Sequence, residues 1–155
     1  MAQILNGYYR PNDVESFHPR VAVWRTALSN WNFTDDTGAV GTYTLYTVVG
    51  DVYVQVTGIC KVAIVGAGTI EVGIAGNTAA IIAQTTGADL DQYETWQDAT
   101  PEANPGPVTL ETKTFQLANG EDIIFTIAGA VLTAGDIDFM CRWFPVTDNG
   151  TVIKT

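Results

Sequence analysis

Histidine is nearly absent from this chain of 155 residues. His18 is its only one, so a multi-histidine zinc or iron site is excluded. A serine triad needs a histidine oriented by an acid. His18 sits between Phe17 and Pro19, and the only serines are Ser16 and Ser29, neither in a nucleophile-elbow setting. The two cysteines, Cys60 and Cys141, are too few for a disulfide framework and lack CxxC spacing. Each falls in an apolar, strand-like run, where a thiol is neutral and inert. Two buried free thiols are expected, with a single bridge between neighbouring strands as the alternative. Charge is scarce as well. Charged residues make up 15% of the chain and hydrophobic residues 46%, where soluble domains carry about a quarter charged. So little charge implies that part of the apolar surface is covered by a neighbour in a larger assembly. Long apolar runs are also missing, because glycine and polar residues interrupt each one short of a membrane span. The opening MAQILNGYYRPND has no apolar h-region, so no secretory signal is expected there.

The charge that is present is mostly negative. The formal net charge is −10. Residues 1–25 carry three arginines against two acids, and the remainder carries four basic residues against fifteen acidic ones. An acidic body repels phosphate backbones and anionic lipid, so neither nucleic acid nor membrane is an expected partner.

What the chain has in quantity is strand pattern and glycine. In Gly50 to Thr86, Val52, Val54, Val56, Gly58, Cys60, Val62 and Ile64 occupy alternate positions, an alternation that places them on one core-facing side of a strand. Gly58 in the middle is read as a bend or bulge. Gly66-Ala67-Gly68 is read as a tight turn into a partner strand with Ile70, Val72 and Ile74 inward, and AAIIAQTT as a further strand. TLETKTFQL, DIIFTI, DIDFMCRWFPV and TVIKT read as strands too. In the third of these Ile137, Phe139, Cys141 and Trp143 share one face, and Asp138, Met140, Arg142 and Phe144 the other. Asn119-Gly120 and Asn149-Gly150 are hairpin-type turn pairs.

Seven to nine short strands without a convincing amphipathic helix predict an all-β fold, a jelly-roll-like β-sandwich with an extended N-terminal arm. An immunoglobulin-like topology is the alternative, although the tryptophan-between-cysteines pattern is missing. Residues 1–40 are assigned to the arm leading into the first strand, and residues 41–155 to the sandwich. Residues 87–108, with five acids and three prolines, form a long surface excursion with one helical turn near Asp91 to Trp96. A loop of that length in a compact domain is usually functional or interfacial.

Chemistry is sparse. Asp89, Asp91, Glu94 and Asp98 do not match the spacing of an EF-hand loop and lack its glycine, so a solvated acidic loop is expected rather than a calcium site. Glu71, Glu94, Asp98, Glu111, Asp136 and Asp138 are carboxylates of the kind glycoside hydrolysis uses in pairs, but no pair is singled out by its surroundings. The glycines of GAGTIEVGIAGN are spaced wrongly for a dinucleotide fingerprint and precede a strand, so they are turn glycines. Exposed aromatics beside polar groups suit sugars. Tyr93 and Trp96 in the excursion are the candidates, alongside Tyr43, Tyr46 and Tyr53, of which Tyr46 and Tyr53 are expected to face each other across Gly50.

The succession GDVYVQVTGIC, GTIEVGIAGNTAAIIAQTTGADLDQYETW and GDIDFMCRW resembles small structural proteins of tailed bacteriophages, most of all the β-sandwich decoration, or cement, proteins of capsid exteriors. The resemblance spans about Gly41 to Phe144. It implies a non-enzymatic virion protein on the capsid surface, commonly trimeric, that bridges neighbouring major capsid proteins, and it brings no catalytic residue, cofactor or metal. From the residues themselves, the arm and the 87–108 excursion are expected to carry the partner contacts. Tyr8, Tyr9, Arg10, Phe17, Arg20 and Trp96 are the candidate interface residues, because aromatics and arginine dominate interface energetics. The competing reading is a tail-fibre head that binds a receptor or carbohydrate; a small glycan hydrolase stands last.

Overall fold

Period two in the sequence becomes antiparallel sheet throughout. The computed structural model describes residues 24–103, 107–110 and 113–155. Among them ten strands follow in order: β1 (Arg25–Asn32), β2 (Gly41–Val49), β3 (Val52–Gly66), β4 (Thr69–Ile74), β5 (Asn77–Thr86), β6 (Thr95–Trp96), β7 (Phe115–Leu117), β8 (Ile123–Ala128), β9 (Leu132–Pro145) and β10 (Thr151–Lys154). Two sheets pack face to face into an all-β sandwich. The first runs β1-β9-β3-β6, with β7 also pairing β3 nearer its start, and the second runs β10-β2-β8-β4-β5.

The alternation read from the sequence places the core. Val54 lies opposite Trp143, Val56 opposite Cys141, Gly58 opposite Phe139 and Cys60 opposite Ile137, all buried between the sheets. Phe125 of the second sheet meets Phe139 of the first with ring centroids 5.5 Å apart. The Tyr46 hydroxyl on β2 crosses the core and donates to the carbonyls of Phe139 (2.9 Å) and Ala27 (3.2 Å), which ties one sheet to the other.

Gly58 is not a bend. Register runs straight through it, and the irregularities begin after Cys60. The extra residue there turns Val62 outward to 50% exposure, against the expectation that it faces the core. Gly58 serves another purpose. A Cβ at that position would lie 3.2 Å from Cε3 of Trp96, so glycine lets the indole pack flush on β3 where a larger residue would push it away by a few tenths of an ångström.

The turns depart most from the sequence reading. One tight hairpin is present among the described strands, β4–β5, with Ile74 opposite Asn77 and Gly76 at φ +92°. The Gly66–Gly68, Asn119-Gly120 and Asn149-Gly150 turns each carry the chain from one sheet to the other, as does Gly50. Tyr46 and Tyr53 therefore lie in different sheets: Tyr46 is buried, and Tyr53 packs against Phe144 at 5.1 Å. The physical reason is local ambiguity. A glycine at positive φ serves a cross-sheet arch as well as a hairpin.

At one end of the sandwich three of these arches are laced together. The Gly50 amide donates to Asn119 Oδ1 (2.7 Å), the Asp51 amide to Thr147 Oγ1 (2.9 Å), and the Val146 amide to the Asp51 carbonyl (2.8 Å). The sandwich also takes in β1, whose residues the sequence reading placed in the arm. β1 pairs with β9 over its whole length, from Arg25 opposite Trp143 to Asn32 opposite Asp136.

Candidate functional site

Two surfaces stand out once the core is accounted for. The first is the excursion after β5. A single 3-10 turn occupies Gly87–Asp89, ahead of the expected position, and the segment then folds back to form β6. It is pinned rather than loose. Leu90 and Trp96 are fully buried, the Ile64 amide donates to the Leu90 carbonyl (3.2 Å), and Thr95 and Glu102 exchange both backbone hydrogen bonds.

Between these anchors the chain makes a tight outward turn at Asp91–Glu94. The Tyr93 amide donates to the Cys60 carbonyl (2.7 Å), the Cys60 amide to the Glu94 carbonyl (2.9 Å), and the Asp91 amide to Glu94 Oε2 (2.9 Å). Tyr93 sits at φ +71°, the one non-glycine residue with positive φ among those described, and the residue is 54% exposed. A bulky residue in that region is strained and persists only where its surroundings hold it. Here five backbone and side-chain bonds do so, counting Glu94 N–H to the Asp91 carbonyl and Gln92 Nε2 to the Lys61 carbonyl.

The second surface is the outer face of the first sheet. Registration of β1, β9 and β3 lines its residues up in rows. Trp24, Phe144 and Tyr53 stack at one end, with centroids 4.6 and 5.1 Å apart, and the Arg142 guanidinium lies 5.1 Å from the Trp24 ring. Leu28 lies opposite Met140 in the middle, with Leu28 64% exposed. At the other end Lys61 Nζ meets Asp138 Oδ2 at 2.9 Å, and Asn30 Nδ2 donates to both Asp136 and Asp138. The hydrogen bond from Lys61 is the main reason that the Asp138 carboxyl lies below its usual range; desolvation opposes it, and the hydrogen bond from Asn30 adds a smaller lowering. A shallow hollow of about 310 Å³ opens here, lined by Leu28, Ile59 and Met140 together with Asn30, Asp138 and Lys154.

The sequence-predicted residues fall unevenly on this geometry. Tyr8, Tyr9, Arg10, Phe17 and Arg20 lie outside the described residues. Trp96 is corrected outright. It has no exposed surface and packs against Phe139 at 6.2 Å and Phe125 at 6.5 Å, so it is a core residue that cannot reach a partner or a sugar. An aromatic in a polar loop reads as surface until the loop is seen to fold inward. Of the carboxylates, Asp136 and Asp138 are brought together through Asn30, while Glu71 is buried and accepts from Gln84 Nε2 (2.8 Å). Among the described residues no group of three histidine, cysteine, aspartate or glutamate side chains is placed to hold a metal ion.

Cys60 and Cys141 are both free and buried. Desolvation pushes each thiol up to about 12, with Glu94 and Asp91 adding to the effect at Cys60. Neither has thiolate to offer near neutral pH. The outward residues of β9 were visible in the sequence as the second half of its alternation. The rows that β1 and β3 add to them were not, because they depend on which strands become neighbours.

No protein-family model and no curated protein matches the chain. Two solved structures are similar in shape. A chain of the cyanophage Pam1 capsid asymmetric unit aligns with a TM-score of 0.42 at 12% identity, over 79% of this chain and 84% of that one. A chain of the disulfide-linked pili of Bacillus endospore appendages aligns with a TM-score of 0.32 at 16% identity, over 79% of this chain and 88% of that one. Both likenesses are too distant to bear on what the chain does.

Proposed function

We propose that this chain is a non-enzymatic structural protein of a tailed-phage virion, a capsid decoration protein that sits on the capsid surface and bridges major capsid proteins as a homo-oligomer. The observation that carries the reading is the Asp91–Glu94 turn. A strained, half-exposed tyrosine is locked by backbone hydrogen bonds onto a strand of a rigid sandwich. Such a side chain makes a ready interface anchor, because its contact area comes with little conformational entropy left to lose.

A cement protein must add contact between capsid proteins and hold its shape under load; no reaction is required of it. The strand orders β1-β9-β3-β6 and β2-β8-β4-β5, with β10 beside β2, support a jelly-roll-like reading of the sandwich. In this wiring each sheet interleaves strands from both ends of the chain. The N-terminal segment with Tyr8, Tyr9, Arg10, Phe17 and Arg20 supplies the second contact in this reading.

The test is decoration of purified heads lacking the protein. Wild-type protein is expected to co-sediment with heads, while Tyr93→Ala and a variant lacking residues 2–20 remain folded in solution and bind at least tenfold less, a loss of the size that removing one interface anchor causes. Undiminished decoration by both variants overturns the proposal. The tail-fibre alternative makes a different prediction: specific glycan hits on an array, lost on Tyr93→Ala. Trp96, being buried, offers a glycan no surface.

A further inference from the structure

We propose that the outer face of the first sheet is a two-fold interface, on which a second copy of this chain docks sheet to sheet. The face is graded along β9. Phe144 and Arg142 lie at one end, Met140 in the middle, and Asp138 and Asp136 at the other. Arg142 stands two residues to one side of Met140 and Asp138 two residues to the other. A two-fold axis running across the strands at the level of Met140 therefore lays each Arg142 over the partner copy's Asp138. The same axis lays Leu28 and Met140 over their own equivalents, brings Tyr53 over the neighbourhood of Lys61, and sets Phe144 and Trp24 over Asp136 and Asn32. At the centre of the patch charge opposes opposite charge and apolar opposes apolar, and at its ends Tyr53 comes over Lys61. One patch complements itself, which is the defining property of an isologous contact.

Charge balance over the molecule points the same way. The chain carries −10 overall, yet this face pairs Arg142 and Lys61 against Asp138 and Asp136 and is close to neutral. Two copies meet here with less mutual repulsion than over acidic surface. Leu28 at 64% exposure and Ile59 at 39% leave apolar area for water to release.

Size sets the strength. Three strands about 4.8 Å apart and eight residue steps of about 3.3 Å give a footprint of about 400 Å² on each copy. That is below the roughly 800 Å² per partner of a standard stable interface, so the dimer belongs to the transient class.

Sedimentation velocity on the full-length chain, without any particle, tests the assignment independently of capsid binding. Wild-type protein is expected to pass from monomer to dimer as concentration rises through the micromolar range. Arg142→Glu and Asp138→Arg are each expected to weaken self-association about tenfold or more, since like charges then face each other on both sides of the axis. An equimolar mixture of the two variants restores opposite charges at both positions and is expected to associate at least as tightly as wild type. Leu28→Asp, which places two carboxylates face to face at the centre, is expected to abolish the dimer while circular dichroism and melting temperature stay near wild type. A wild-type species that is monomeric at several hundred micromolar or a trimer overturns the two-fold interface, and so does a mixture that associates no better than its components.

Discussion

At the scale of single residues, three buried acids oppose their own ionisation. Tyr46, Cys60 and Cys141 are all raised above their ordinary values, chiefly by desolvation, and the two thiols move from near 9 to about 12. The unfolded chain releases these protons first. The contribution to stability is therefore intact below pH 9 and is lost as pH climbs from about 9 toward 12. Urea midpoints are expected to hold steady up to pH 9 and to fall steeply above it, with the fall reduced in Cys141→Ala once its lower baseline is taken into account. Neither thiol is expected to react with iodoacetamide at pH 8 in the native protein, and both are expected to react in urea. Tyr46→Phe removes one hydroxyl that serves two carbonyls on the opposite sheet, at a cost of about 1–2 kcal/mol by denaturant titration.

At the scale of elements, β3 and β9 form the spine of the first sheet, and what packs against them decides the positions of the loops. Trp96 anchors the excursion by filling the space that Gly58 leaves open on β3. Its indole N–H finds no acceptor in the core, so the ring is held by packing alone. Trp96→Ala is expected to cost about 3–5 kcal/mol, the usual range for emptying a large buried site. It should also loosen residues 95–102 toward proteolysis, while buried Leu90 and the backbone bonds to β3 keep residues 87–94 in place. Gly38 plays a comparable part between β1 and β2. A Cβ there would come within 1.6 Å of the Leu132 carbonyl oxygen, while the Leu132 amide already donates to the Gly38 carbonyl at 2.9 Å. Gly38→Ala is expected to lower the melting temperature sharply, since backbone on both sides must move. Nothing in the local sequence marks Gly38 as different from Gly76, where a Cβ meets nothing within 4 Å.

At the scale of the whole molecule, both sheets share one core and most neighbours are distant in sequence. β1 pairs with β9 more than a hundred residues away, and β2 pairs with both β8 and β10. Non-local pairing of this kind slows folding, so refolding followed by tryptophan fluorescence is expected on the scale of roughly milliseconds to seconds. A single equilibrium transition is expected, with Tyr46→Phe on β2 and Cys141→Ala on β9 shifting the same midpoint. The positions of most strands, the inward faces of β9 and of β3 as far as Cys60, and the all-β class followed from the amino-acid sequence alone, because alternation is a local property that the backbone enforces every two residues. Which strands became neighbours, which turns crossed between sheets, and whether Trp96 or Tyr93 faced solvent were settled only by tertiary structure. Hydrogen-bond partners and burial are chosen by segments far apart in the chain, and no local pattern encodes that choice.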